Sequence, residues 1–408
     1  MKTPIHEQLH SFEPHPINGL KLATICAGMY PENRQDMVLM VADQGSHCAA
    51  TFTRNALCAA PVKVARDHMA RDTPRAWLIN AGYANAATGQ QGLELAHESC
   101  RVVAAALQCR VSEVIPFSTG VIGGLPPRQK LLGAIPELVS QLHSDNWVSA
   151  AHAIMTTDTR IKTVHREIVL SHQTVHLNGI AKGAGMIRPN MATMLAFIAT
   201  DARIEPSAMR SWLSSAVARS FNTITVDGQT STNDACAFIA TGKAHPSTLT
   251  NDHSDGLVFA RALHEVCLEL AEQIMGDAEG ATRLMDVRIE HARDDIEARL
   301  VAYSIAESAL VKTALHAGDP NWGRLWSAIG QVLPEPVCEQ TISLWLNDQP
   351  LLVHGALAES YREEQATAAM KEKKITFRVD LGRGHGYGHI LGCDLSHEYI
   401  RINCDYRS

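Results

Sequence analysis

The sequence predicts an α/β fold built as a layered sandwich. Three observations predict it. Short runs rich in branched residues, bounded by Gly, Asn or Asp, recur along the chain. Segments with helical apolar spacing lie between them. No internal repeat or low-complexity tract separates one class from the other, so strands and helices mix throughout. The 408 residues suffice for two domains or one large one with a substantial core.

The strand-like runs are "MVLMVA" (37–42), "AWLIN" (76–80), "MLAFIAT" (194–200), "ISLWL" (342–346) and "ITFRVDL" (375–381). Helical spacing is clearest in "RALHEVCLELAEQIM" (261–275), where Leu263, Val266, Leu270 and Ile274 share one face. "SAMRSWLSSAVARSF" (207–221) and "ALAESYREEQATAAMKEKK" (356–374) also read as helices. "HPSTLTNDHSDG" (245–256) and "NDQP" (347–350) read as surface loops, too short for domain linkers. The loop-like stretch 182–192 is unusual, because it interrupts what otherwise reads as core.

Composition excludes several classes of function. A net charge of −7 argues against nucleic acid or an anionic membrane surface as the main partner. The apolar runs are too short to span a bilayer, and "MKTPIHEQLHSFEPHP" at the start lacks the apolar run of a secretory signal. The ten cysteines are scattered without a C-x-x-C pair, so free thiols in a reducing, cytoplasmic setting are expected, and no zinc site. The twenty histidines show no H-E-x-x-H spacing, and no metal is expected.

Five stretches carry candidate chemistry. In "RPNMATMLAFIATDA" (188–202), Thr193 leads an apolar strand after the flexible "KGAGMIRPN". A threonine hydroxyl needs a base, and its own α-amino group serves if the Ala192–Thr193 bond is cut. That amine has a pKa of roughly 8, so part of it is neutral at physiological pH. Ala192 adds little bulk at such a junction, and Gly183 and Gly185 let the approach bend. A Thr at a strand start is common, however, so Thr193 alone assigns nothing. In "FSTGVIGGLP" (117–126), Thr119 and Gly120 sit in a small-residue turn that exposes N–H groups and a hydroxyl, which suits an oxyanion hole or an ordinary anion nest. "TVDGQTSTNDACAF" (225–238) crowds Asp227, Thr230, Ser231, Thr232, Asn233 and Asp234 before an apolar run, as a substrate loop or as turn chemistry. "AGDPNWGRLWSAIG" (317–330) reads as a turn with a helix cap. "GRGHGYGHILGCDLSH" (382–397) places His385 and His389 four apart among glycines, which disfavours a helical metal pair and reads better as a glycine-rich loop near a ligand.

Taken together, these stretches resemble the ornithine acetyltransferase, or glutamate N-acetyltransferase, family of arginine biosynthesis. The resemblance rests on "STGVIG", "MTTDT", "AKGAGMIRPNMATMLAFIATDA", "SFNTITVDGQTSTND", "GDAEGATRL", "LVKTALHAGDPNWGRLWSAIG" and "GCDLSHEYIRINCDYRS", in family order over nearly the whole chain. It implies self-cleavage between Ala192 and Thr193 into an α chain (1–192) and a β chain (193–408). Both would stay in one sandwich of the type shared with N-terminal-nucleophile aminopeptidases, assembled as an α2β2 heterotetramer. Thr193 would be the nucleophile, with Thr119 and Gly120 as the oxyanion hole. Thr156, Lys182, Thr193, Glu279, Asn403 and Ser408 would contact substrate. The implied substrates are N-acetylornithine and glutamate. No cofactor is implied, and acetyl-CoA as a second acetyl donor stays open.

The chain departs from the family pattern at Tyr83 in "NAGYANA", at Arg188, Gln229, His316 and His389, and at Ser408, where Thr is more usual. Two rival readings share these residues. A hydrolase on the same scaffold would pass the acyl group to water, and an amino-acid sensor would need no chain scission.

Overall fold

The computed structural model describes residues 14–188, 194–334 and 336–405. The chain forms two compact units. Among the described residues, the larger holds 14–222 together with Gln229–Ile274, and the smaller holds Thr223–Gly228 and those from Met275 onward.

The larger unit is a sandwich of helices, sheet, sheet and helices, as the sequence leads one to expect. One sheet has four strands in the order Leu20–Ile25, Met37–Ala42, Ala76–Asn80 and Val114–Ser118. The other has five, in the order His47–Phe52, Ala235–Ala240, Leu195–Thr200, Thr174–Lys182 and Lys162–Val169. The central strands are buried on both faces, which is why they read as unbroken apolar runs rather than alternating ones. Between the sheets lie Trp77, Ile79, Ile115 and Phe117 from one and Ile180, Leu195, Phe197 and Ala237 from the other. Phe117 meets Phe197 edge-on, with ring centroids 5.0 Å apart. Such a pair contributes about 1 kcal/mol beyond its burial.

Helices Ala60–Arg71, Gly89–Leu107 and Arg128–Ser140 cover the outer face of the four-stranded sheet through Leu39, Leu78, Leu95, Val103 and Leu131. Helix Ser254–Gly276 lies on the five-stranded sheet so closely that a Cβ at Gly179 would meet Leu270 at 2.9 Å. Helix Pro206–Ala218 starts with Pro at its first position and with the Glu205 carboxylate accepting from the N–H groups of Ser207 and Ala208.

The smaller unit carries a six-stranded sheet in the order Ala356–Leu357, Gln349–Val353, Ser343–Leu346, Lys374–Asp380, Leu284–Ala292 and Gly386–Cys393. Helices Asp295–Glu307, Ala309–Ala317 and Trp322–Gly330 bury one face of it around Val287, Ile289, Val301, Ile305, Leu315 and Ile329. Asn321 caps the last of these helices by accepting from the Arg324 N–H, as its turn-and-cap motif suggests.

Three expectations need correction. The stretch 356–374 is not one helix. Ala356–Leu357 closes an edge hairpin with Gln349–Val353, only Glu363–Ala369 is helical, and Lys374 already opens the next strand. Its Ala, Glu and Lys residues favour helix, but cross-strand pairing overrides that weak preference. The two loops also contain regular structure, with Gln349 and Pro350 in a strand, Thr248–Leu249 pairing with Arg203–Ile204 and Ser254 opening a helix. Finally, Gly386, Gly388 and Gly392 of the stretch 382–397 lie in strand Gly386–Cys393 against a helix, and only Gly382 and Gly384 stay in the irregular chain before it. A Cβ at Gly388 would lie 2.7 Å from the Ala298 carbonyl carbon. Small residues there let helix and strand approach.

Candidate active site

The predicted oxyanion residues lie in the turn after strand Val114–Ser118. The Thr119 N–H donates to the Asn80 carbonyl at 2.9 Å, and the Ser118 hydroxyl donates to Asn80 Oδ1 at 2.6 Å. The Val121 N–H donates to the Gly82 carbonyl at 3.2 Å, and Ala84 returns the bond to Val121 at 3.1 Å. From the stretch just before strand Ala235–Ala240, Asn233 Nδ2 donates to the carbonyls of Ala84 and Ser118 at 2.6 and 2.9 Å. The turn is therefore held on both sides by buried amide groups.

Gly120 is dictated by this geometry. Its φ is +132°, and a Cβ would fall on the main chain of Gly82 and within 2.6 Å of the Tyr83 nitrogen. Its N–H makes no hydrogen bond to another described residue. The Thr119 hydroxyl accepts from Lys182 Nζ at 3.2 Å, which leaves its own O–H to donate elsewhere. Both Thr119 and Lys182 are only 8% exposed. A hydroxyl, an N–H and an ammonium thus share one corner of the larger unit, an arrangement suited to developing negative charge.

Lys182 ends strand Thr174–Lys182 opposite Leu195. Behind it lies a carboxylate that the motif reading did not single out. Asp158 accepts from the Thr156 N–H at 2.9 Å, the Gly183 N–H at 2.7 Å and Lys162 Nζ at 2.5 Å. The Asp158 and Lys162 side chains are fully buried. Burial pushes the Asp158 pKa up, but Lys162, Lys182 and the Gly183 N–H together outweigh it and hold the carboxyl ionised, well below the usual range. Asp234 is the opposite case. Burial dominates its environment and raises its pKa well above the usual carboxylate value, and its Oδ2 has no partner among the described residues.

In the smaller unit, Asn403 Nδ2 donates to Glu279 Oε2 at 2.9 Å. The loop bearing Glu279 is pinned at Gly280, whose φ of +65° and contact with the Tyr399 main chain leave no room for a side chain. Asp394 anchors the far end of the loop, accepting from the N–H groups of Thr282 and Arg283 at 2.7 and 3.1 Å, from the Thr282 hydroxyl at 2.6 Å and from His316 Nδ1 at 2.7 Å. The Tyr399 hydroxyl donates to Asp227 Oδ2 at 3.1 Å, and burial next to that carboxylate raises the phenol's pKa.

The structure brings Thr119 to Lys182, Thr156 to the Asp158–Gly183 junction, and Asn403 to Glu279. Ala192, Thr193 and Ser408 lie outside the described residues. His389 pairs with Asp286 through Nε2 at 2.8 Å, and no cluster of potential metal ligands occurs among the described residues. No helix among them is long and apolar enough to cross a membrane. Asp158 and Lys162 were missed as site residues, although Asp158 lies inside the matched motif "MTTDT" and Lys162 three residues beyond it, whereas Asn233 stood in the candidate polar stretch 225–238.

Residues 21–408 match the ArgJ family. The chain is 46% identical over 406 residues to the arginine biosynthesis bifunctional protein ArgJ of Methylococcus capsulatus, covering 100% of this chain and 99% of that one. It is 43% identical over 397 residues to the protein of the same name from Pseudomonas syringae pv. tomato, covering 97% of each. Among solved structures, it is similar to the ornithine acetyltransferase of Mycobacterium tuberculosis complexed with ornithine, with 34% identity, a TM-score of 0.39, and coverage of 43% of this chain and 93% of that one. The chain belongs to the ArgJ family and is an acyltransferase of arginine biosynthesis.

Proposed function

We propose that the protein moves an acetyl group from N-acetylornithine to glutamate through an acetyl-threonine intermediate, after cutting itself between Ala192 and Thr193. The observation that carries this reading is the buried contact between Lys182 Nζ and Thr119 Oγ1, beside the Gly120 N–H, which makes no hydrogen bond among the described residues. It supports an oxyanion site built next to a cation able to pair with an amino-acid carboxylate.

In this reading the Thr193 hydroxyl first attacks the Ala192 carbonyl. The resulting ester is hydrolysed by water, which leaves an α chain ending at 192 and a β chain whose first residue is Thr193. The new α-amine then takes the hydroxyl proton as Thr193 attacks the acetyl carbonyl. Thr119 O–H and Gly120 N–H donate to the oxyanion. Ornithine leaves with the proton, and the glutamate amine attacks the acetyl ester to give N-acetylglutamate. Lys182 and Thr156 hold the carboxylate end of each amino acid, while Glu279, oriented by Asn403, recognises the ornithine amine. Ser408 contributes a hydroxyl to the same recognition. Acetyl-CoA is a second donor to glutamate, in keeping with the bifunctional relatives.

The test is to incubate the purified protein with N-acetylornithine, with and without glutamate. Ornithine release that needs glutamate and yields N-acetylglutamate in equal amount supports transfer. Release that ignores glutamate means that water is the acceptor and contradicts it.

A further inference from the structure

Asp158 ties the chain on either side of it, through the Thr156 N–H and Lys162 Nζ, to Gly183, 25 residues further on. Thr156 follows helix Trp147–Ala153, Lys162 opens one strand, and Gly183 follows the end of another. Two of its three donors are main-chain N–H groups, and both belong to segments of the carboxylate-recognition side: Thr156 itself and the residue joined to Lys182. A pair kept for stability alone gains little from this arrangement, since a buried ion pair is often matched by apolar residues of similar size. The bonds instead fix where Thr156 and Lys182 stand.

We propose that Asp158 is the positioning residue for amino-acid recognition in this site, holding the Thr156 main chain and the Lys182–Gly183 turn in the arrangement that receives an α-carboxylate. Lys162 is its buried counter-charge. Asp158 touches no substrate and acts through its neighbours. The inference rests on the proposed acetyl transfer for its substrate class, an α-amino acid.

The experiment compares wild type, Asp158→Asn and the double variant Asp158→Asn/Lys162→Met, which removes both charges of the fully buried pair. Three readouts are taken: melting temperature, steady-state transfer from N-acetylornithine to glutamate, and calorimetric titration with glutamate and with ornithine. Asp158→Asn is expected to melt lower, because Lys162 loses its partner. The double variant is expected to recover the melting temperature yet keep KM and Kd raised about tenfold or more, with a smaller change in kcat. Recovery of KM and Kd together with the melting temperature would reduce the pair to a structural role and overturn the proposal. If wild type shows no transfer but binds either amino acid, the titrations still decide: weakened binding in the double variant upholds the positioning role while the transfer reading fails. A wild type that binds neither amino acid overturns both.

Discussion

Replacing Thr119 by Val tests the oxyanion assignment with least disturbance of shape. Thr119 is 8% exposed, and its hydroxyl accepts from Lys182 at 3.2 Å, which leaves its own O–H to donate elsewhere. Valine keeps the branched volume and removes both functions of the oxygen. Losing the acceptor for Lys182 costs about 1 kcal/mol of stability, so the fold survives. Losing a donor to the oxyanion lowers kcat by roughly 100- to 1,000-fold, or about 3–4 kcal/mol of transition-state stabilisation. Initial-rate kinetics with N-acetylornithine and glutamate, on protein whose chain scission has been checked by gel, separate kcat from KM. KM should change little, because the donor acts on charge that develops only in the transition state. Thr119→Ser, which keeps the hydroxyl, should recover most of the rate. A Val variant retaining kcat within a few-fold of wild type would refute the assignment.

Three other perturbations follow from the same geometry. Gly120→Ala forces a Cβ onto the Gly82–Tyr83 main chain at φ +132°, where no rotamer relieves the clash. A loss of about 3 kcal/mol or more is expected in denaturant unfolding, and an unchanged midpoint would contradict it. Asp234→Asn tests the raised carboxyl. A group whose folded pKa exceeds its unfolded value of roughly 3.9 stabilises fully below that value and loses its contribution as pH climbs through the folded pKa. The variant should match wild type near pH 4 and melt progressively higher than it toward pH 8, so a pH-independent difference would count against this. His176 stacks on His15 at 3.6 Å and lies 5.6 Å from His165, and burial followed by the His15 charge lowers its pKa. Asp201 and Glu167 oppose that lowering without reversing it. The stability tied to the neutral ring is present above the unfolded value of about 6.5 and falls away as pH drops below it. His176→Gln should therefore flatten the loss of melting temperature between pH 7 and pH 5, and an unaltered slope would dismiss the stack as its source.

The strands nearest the site were legible because they are buried on both faces and so read as unbroken apolar runs. Met37–Ala42 and Ala76–Asn80 have the expected limits, and Leu195–Thr200 differs by one residue. The segment 356–374 was not legible, because helix-forming residues sit on an edge hairpin whose pairing partner lies earlier in the chain. Thr119 and Gly120 stood out through motif chemistry, and Lys182 through the family resemblance. Asp158 and Lys162 did not, since a charged pair four residues apart reads as solvated surface, and only the fold buries it. Asn233 sat in a polar run that reads equally as a turn, and its bonds to Ala84 and Ser118 come from distant parts of the chain. Gly386 and Gly388 carried the signal of a ligand loop because closeness to a helix and closeness to a ligand select the same residue.

Intact-mass analysis of the purified protein, before and after exposure to N-acetylornithine, tests the central claim most directly. The account predicts two fragments, 1–192 and 193–408, with one added acetyl group on the Thr193 residue of the second after exposure and its loss when glutamate is supplied. An active preparation with an uncut chain, or an acetyl group found on another residue, would contradict it.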